Sequence, residues 1–476
     1  MFRGIRYLRV RSYFDKKIAF QKFMSEISLS AAEPVSTEAF VLAAQKVLRN
    51  NILNSFTKPA PALYPHQWNW DAGFIALGYA HFDFKQACSE LTALFRGQWA
   101  NGMLPQIVFS IQNTGKYFPG YFFWDTRGAP AKPRNVRTSG ITMPPVHGFV
   151  LERMLRYAPD TRTYRPFFRK MFDKIVWLHR YCYENRDPDS EGLAFICHPW
   201  ESGMDNLPLW QDVFACFEID PADVPPYQRR DLEHVDADHR PRKESYDRYI
   251  YLVNRLRQKR YQEPEVWKDY PFQVQEPLFN TMLNSSNEAL VEMGAWLRRD
   301  TGQIREWQQQ TNRALNNKLW DANVGMYLAY DRVHKKMIEQ NPASGLIPLF
   351  CGAPDRQQAE QIVRWLESPA FAGTPERPAY LCPSYSTQDA RFDERRYWRG
   401  PVWININWLL YHGLKRYGYD ALAKRVKSDS FELMRRFGFW EYYHPWKSLK
   451  QGDSGGYGSG NFSWTAALAI DWLAKE

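Results

Sequence analysis

The sequence predicts an all-α fold, about twelve helices over roughly 440 residues paired as six hairpins in a toroid with a central hole. Three observations predict it. From Ser36 onward, apolar residues recur at helical spacing in segments long enough to form helices. Patterns of period two, the mark of half-buried strands, are few. No Gly/Ser-rich, Pro-rich or low-complexity tract divides the chain, which favours one large domain over several. No strict repeat recurs, so at this level the toroid rests on helix number alone.

Taken in order, the first helix is the stretch from Thr37, TEAFVLAAQKVL, apolar at helical spacing behind a Ser/Thr cap. The same spacing predicts helices over 71–97, 144–157, 163–185, 276–299, 302–320, 356–366, 400–416, 418–437 and 462–475. Two long polar and aromatic stretches, 107–143 and 206–248, interrupt the series with Pro and Gly at their turns. Loops of that length in a compact chain are usually lids or binding loops. The expected organisation is an extension over 1–35 and a single domain over 36–476 carrying two lids. The opening MFRGIRYLRVRSYF is basic and resembles a transit peptide or surface arm, while Met24 offers an alternative start.

Composition narrows the function. Aromatic residues make up 16% of the chain and tryptophans number 19, more than packing requires, and surplus rings commonly line ligand sites. Sugars, with one apolar face, suit such walls. The net charge of +10 is spread singly or in pairs such as Arg229-Arg230 and Arg395-Arg396 among acids, which argues against nucleic acid. Cys88, Cys182, Cys197, Cys216, Cys351 and Cys382 show no metal-ligand spacing and read as reduced thiols of a cytoplasmic protein. No apolar run would span a bilayer, so no membrane partner is expected.

Four clusters mix Trp or Tyr with amide, Arg or Asp groups beside helix ends: YPHQWNWDAGF at 64–74, RGQWANGMLPQI at 96–107, WESGMDN at 200–206 and YWRGPVWININW at 397–408. FWEYYHP at 439–445 adds another acid among rings. Cleaving a glycosidic bond needs one carboxylic acid to protonate the leaving oxygen and one carboxylate to attack or to activate water. Asp205, beside Met204, Leu207 and Trp210, sits where desolvation would keep it protonated; an ordinary helix cap is the plain alternative. Glu441 reads equally as a solvated turn acid, and Asp71 as a cap for a helix beginning at Ala72. Any one cluster alone is weak, and five together are hard to explain as packing.

Other chemistries find no support. HExxH, GxGxxG, GxxxxGK[ST] and GxSxG patterns are absent. NRDPDSEG at 185–192 lacks the full ligand spacing of a calcium loop, and no pair among His198, His234, His239 and His444 has metal-ligand spacing. No metal and no cofactor is expected.

The order and wording of WNWD, QWANGMLPQ, ESGMDN, YWRGPVW, EYYHP and GNFSWTAAL over residues 60–465 resemble the glycoside hydrolase family of processing α-glucosidase I and bacterial glucosylglycerate and mannosylglycerate hydrolases, with trehalases more distant. The resemblance implies an (α/α)6 barrel, an inverting mechanism and no catalytic metal. It makes Asp205 the general acid and Glu441 the general base, so Glu201 holds the loop by hydrogen bonds or touches a sugar hydroxyl. It also assigns Tyr64, Trp68, Trp70, Asp71, Gln98, Gln106, Trp398, Arg399 and Trp403 to the sugar pocket. Arg240 and Tyr246, at the spacing of an Arg and Tyr that reach glycerate in glucosylglycerate hydrolases, would bind an aglycone carboxylate with Tyr397. One departure stands out: Met143 occupies the place in SGITMPP that is similar to a Gln position in those enzymes, and Gly460-Asn461 precede the FSW stretch. Both remove or shorten polar contacts near the aglycone.

The chain therefore reads as an inverting α-glycosidase for a small soluble glycoside, first glucosylglycerate or mannosylglycerate. The alternatives are an α-glucosidase for a disaccharide or oligosaccharide, and a sugar-binding toroid without catalysis. Two opposed acids, Asp205 and Glu441, argue against the last.

Overall fold

The structure, a computed structural model, describes residues 36–263, 265–450 and 452–474. The basic opening stretch and the start at Met24 lie outside them. Two compact units separate: Met1–Ala43, of which the opening of one helix is described, and Ala44–Glu476. In the first, the Ser36 hydroxyl accepts from Ala39 N at 3.2 Å and starts the helix as its sequence predicts.

The chain is mostly helical. Among the described residues twelve helices run eleven residues or longer: Thr37–Asn50, Asn69–Tyr79, Phe84–Phe95, His147–Tyr157, Thr161–Asn185, Lys243–Gln258, Pro277–Leu297, Gly302–Ala314, Arg356–Glu367, Ile404–Arg416, Asp420–Phe437 and Ser463–Leu473. The strands are short and antiparallel. The largest sheet orders Lys336–Ile338, Ala329–Asp331, Val274–Gln275 and Phe195–Ile196, and two-stranded pairs serve the loops. None of the described helices is long and apolar enough to cross a membrane.

The helices are of two physical kinds. Every residue of Asn69–Tyr79 is buried, and Ser463–Leu473 is nearly so, because helices apolar on all sides belong inside. Others bury one stripe. Gly302–Ala314 covers only Ile304, Trp307 and Thr311, and Arg356–Glu367 covers Ala359, Ile362, Val363 and Leu366 behind an Asp355/Gln358 capping box. Asn69–Tyr79 packs against Ser463–Leu473, Phe84–Phe95 and His147–Tyr157. His147–Tyr157 meets Pro277–Leu297, which meets the 3-10 turn Ala343–Leu349; that turn meets Ile404–Arg416, and Ile404–Arg416 meets Ser463–Leu473.

Three expectations change. The segment 71–97 is two helices, because Asp83 accepts from Gln86 N at 3.1 Å and caps a new one. The stretch 206–248 is not loop to its end: Lys243–Gln258 is a helix burying Tyr246, Tyr249, Ile250, Val253 and Leu256 at helical spacing. The helix expected over 302–320 turns into a π-helical turn at Leu315–Leu319, and Trp320 begins a strand.

Candidate active site

Helix starts supply much of one pocket. Trp70 and Asp71 stand in the first turn of Asn69–Tyr79, Trp403 immediately precedes Ile404–Arg416, and Trp464 stands in the first turn of the last helix. Trp68 comes from the strand pair Gln67–Trp68 with Ile107–Val108. With Asp205 and Glu441 these residues line one pocket. Trp398 and Trp403 stack at 3.6 Å, and Tyr442 continues the stack at 4.7 Å from Trp403. Such a wall presents flat apolar faces between hydrogen-bonding groups, as a sugar ring requires.

Asp205 stands on a turn before the short helix Leu209–Phe214. Gly203 makes that turn possible: its φ is +74°, and a Cβ there would come within 2.5 Å of the Trp70 ring. Tyr249 donates its hydroxyl to the Asp205 carbonyl at 2.6 Å and pins the turn. Burial pushes the Asp205 carboxyl up to about 7; Arg240 pulls against that and Glu441 adds to it.

Glu441 projects from the strand Trp440–Tyr443, paired antiparallel with Gly456–Gly460. It is 2% exposed. Its Oε1 accepts from the Tyr64 hydroxyl at 2.6 Å, its Oε2 accepts from Ser459 N at 3.2 Å, and Arg240 Nη1 lies 4.0 Å away. Burial lifts its pKa to about 7 against the pull of Arg240, Tyr64 and Ser459. Gly458, at φ +73°, leaves the carboxylate its room, since a Cβ would lie 2.2 Å from Oε2. Near neutral pH each of these two carboxyls can therefore be protonated or ionised. The Asp71 carboxyl is held well above the usual range by burial and by Glu441, and caps nothing: the helix starts at Asn69.

Arg240 ties the acids together. Its Nε donates to Asp231 at 3.1 Å, its Nη1 to Tyr64 at 3.1 Å, and its guanidinium lies 4.3 Å from the Tyr397 ring centroid. Its Nη2 donates to no described residue. Tyr246 lines the pocket too, but its hydroxyl is spent on the Phe118 carbonyl at 3.3 Å. Gln106 is 6% exposed, and its Oε1 has no partner among the described residues. Met143 also faces the pocket.

Gln98 and Arg399, expected at the sugar, lie elsewhere, and of the two roles expected for Glu201 its contacts match the loop-holding one. Gln98 Nε2 donates to the carbonyls of Gly102 and Lys174, at 3.0 and 2.8 Å, so it fastens the 98–102 turn to the helix Thr161–Asn185. Glu201 is fully buried. It accepts from Arg186 through both oxygens at 2.8 and 3.0 Å and from the backbone of Thr142 and Cys197, so it holds the loop. Arg399 lines a separate cavity behind Asp205. Conversely, sequence reasoning did not single out Tyr117, Asp231 or Trp464, which all line the pocket. Burial pushes Asp231 up, yet Arg229 and Arg240 outweigh it and hold the acid at about 2. The acid within RRDLE was the available signal.

Among the described residues one group, Cys216, Asp331 and His334, brings possible metal ligands within 4.8 Å of one another. Asp331 already bonds His334 at 2.8 Å, and Lys336 Nζ donates to the Cys216 sulfur at 3.1 Å, so the group reads as a hydrogen-bonded cluster.

A mostly helical fold and an aromatic pocket holding two near-neutral carboxyls define a glycoside hydrolase. The model of the mannosylglycerate hydrolase MGH1-like glycoside hydrolase domain matches residues 64–465, and the chain belongs to that family. It is 41% identical to a mannosylglycerate hydrolase of Rubrobacter radiotolerans, over 91% of this chain and 96% of the relative. It is 35% identical to a glucosylglycerate hydrolase of Mycolicibacterium hassiacum, over 90% and 96%. The crystal structure of a family 63 mannosylglycerate hydrolase from Thermus thermophilus with Tris and D-glycerate superposes with a TM-score of 0.84, at 40% identity, covering 91% of this chain and all of that one.

Proposed function

We propose that the protein is an inverting α-glycosidase that hydrolyses mannosylglycerate or glucosylglycerate, with Asp205 as general acid and Glu441 as general base. Asp205 protonates the glycosidic oxygen while Glu441 takes a proton from water attacking the opposite face of the sugar. Pocket burial supplies the raised pKa the acid needs, and the Tyr64 hydroxyl keeps Glu441 from rising further. Trp68, Trp70, Trp398 and Trp403 hold the ring, with Asp71 and Gln106 on its hydroxyls. The glycerate carboxylate meets Arg240 and Tyr397; the observation that carries this assignment is a buried guanidinium with one uncommitted NH2 beside the catalytic acids. The named relatives share that substrate class.

The chain of helix contacts that leaves Asn69–Tyr79 returns to it through Ser463–Leu473, which supports an (α/α)6 barrel with Ala343–Leu349 as the fourth inner member. We read 107–143 and 206–248 as lids of a single catalytic domain. Phe118 of one stacks on Tyr227 of the other at 5.7 Å, and the Tyr246 to Phe118 bond joins them again.

Steady-state kinetics of Arg240→Ala on charged and neutral α-glycosides test the substrate. Losing the partner of a desolvated carboxylate costs on the order of 2–5 kcal/mol. The charged substrates should lose at least tenfold more kcat/KM than the neutral ones; an equal loss removes glycerate from the assignment. Met143 favours the second reading, a neutral α-glucoside, because a thioether replaces no amide hydrogen bond.

A further inference from the structure

Behind the Asp205 turn lies the second cavity, lined by Asn206, Arg242, Arg391, Asp393, Arg396 and Arg399 among others. Four guanidinium groups share it with one carboxylate. Two are matched: Arg396 pairs with Asp393 at 3.0 Å, and Arg391 pairs with Asp389 and Asp212, both at 3.2 Å. Arg242 and Arg399 are not matched; neither side chain makes an ion pair or hydrogen bond with a described residue. Burial, with repulsion from Arg396 and Arg242, holds the Arg399 pKa below the usual arginine range. Asn206 adds an independent sign. It is 3% exposed, and its Nδ2 has no acceptor among the described residues. A buried, unpartnered amide donor on a residue that lines the same cavity as two unpaired cations describes a place for an anion.

We propose that this cavity is a second ligand site, separate from the aromatic pocket, which takes a compact oxyanion of the phosphate class between Arg242 and Arg399 with Asn206 Nδ2 donating to it. Two positive charges and a neutral donor match a dianion better than a monocarboxylate. Asn206 follows Asp205 directly, and Arg396 Nη1 donates to the Arg240 carbonyl at 3.1 Å, so a bound anion braces both turns that face the active site.

Isothermal titration calorimetry tests this on the full chain, at constant ionic strength in chloride, with inorganic phosphate and with glucose 6-phosphate as probes. The expected result is saturable one-site binding that weakens about tenfold or more in Arg242→Gln and in Arg399→Gln. Arg242 is exposed, so its variant keeps the test valid should Arg399→Gln fail to fold. Binding should survive Arg240→Ala, which separates this cavity from the aromatic pocket. Tighter binding of the sugar phosphate identifies a phosphorylated metabolite as the ligand, and equal affinity identifies the free ion. No binding of either probe at millimolar concentration overturns the proposal. So does unchanged affinity in both arginine variants, or loss of binding in Arg240→Ala.

Discussion

Tyr64→Phe removes one oxygen atom from the base's surroundings, and the consequence for pH dependence is calculable. The hydroxyl donates to Glu441 Oε1 at 2.6 Å and accepts from Arg240 at 3.1 Å. Burial holds the Tyr64 pKa well above its usual value, so it remains a donor across the working range. A hydrogen bond to a charged acceptor contributes about 1.5–3 kcal/mol, and 1.36 kcal/mol corresponds to one pKa unit. The bond favours the ionised form, so its loss raises the Glu441 pKa from about 7 by roughly one to two units. The base must be ionised, so kcat/KM falls as pH drops through that pKa. The acidic limb of the profile should therefore move one to two units to higher pH, with a loss of about ten- to a hundredfold at pH 5.5. Measured pH profiles of kcat/KM for both proteins decide it. An acidic limb that stays in place, with a uniform loss at every pH, would show that Tyr64 only shapes the pocket.

Asp205→Asn and Glu441→Gln should each lose hydrolysis by about a hundredfold to ten-thousandfold while circular dichroism and sugar binding persist; near-normal turnover in either removes that residue from the mechanism. Glu201→Ala leaves Arg186 buried without its bidentate partner and should cost about 3–5 kcal/mol in denaturant unfolding, and a cost under 1 kcal/mol would contradict its role as loop anchor. Glu90, fully buried and accepting from Thr57 N and Gln67 Nε2, has its pKa pushed up by burial to about 8. The folded state thus keeps a proton that the unfolded chain releases near the ordinary glutamate value, so this group makes stability fall as pH rises from about 4.5 to 8. Glu90→Gln should flatten unfolding free energy against pH by about 1.4 kcal/mol per unit in that window, and an unchanged slope refutes the assignment.

The helices were legible where they bury one stripe, as in Arg356–Glu367, because the apolar period is then visible. The break at Ala80–Asp83 was not, since both flanking segments are apolar and only the Asp83 cap with Gln86 three residues later marks it. Lys243–Gln258 was obscured by the polar HRPRKE run at its start. For the site, aromatic clusters located the pocket, while the roles of single residues within a motif depended on direction. Trp398 faces the pocket and its neighbour Arg399 faces the other cavity, as adjacent side chains in non-helical chain commonly do. The two roles open to Glu201 could not be separated from sequence because its partner, Arg186, lies in a stretch that read as a plain turn.

Proton NMR of the first turnovers on α-mannosylglycerate and α-glucosylglycerate tests the central claim most directly. Asp205 and Glu441, acting on opposite faces with a water between carboxyls about 6.5–9.5 Å apart, predict glycerate release with the sugar appearing first as the β anomer. The α anomer appearing first, or no release from either substrate, would contradict the account.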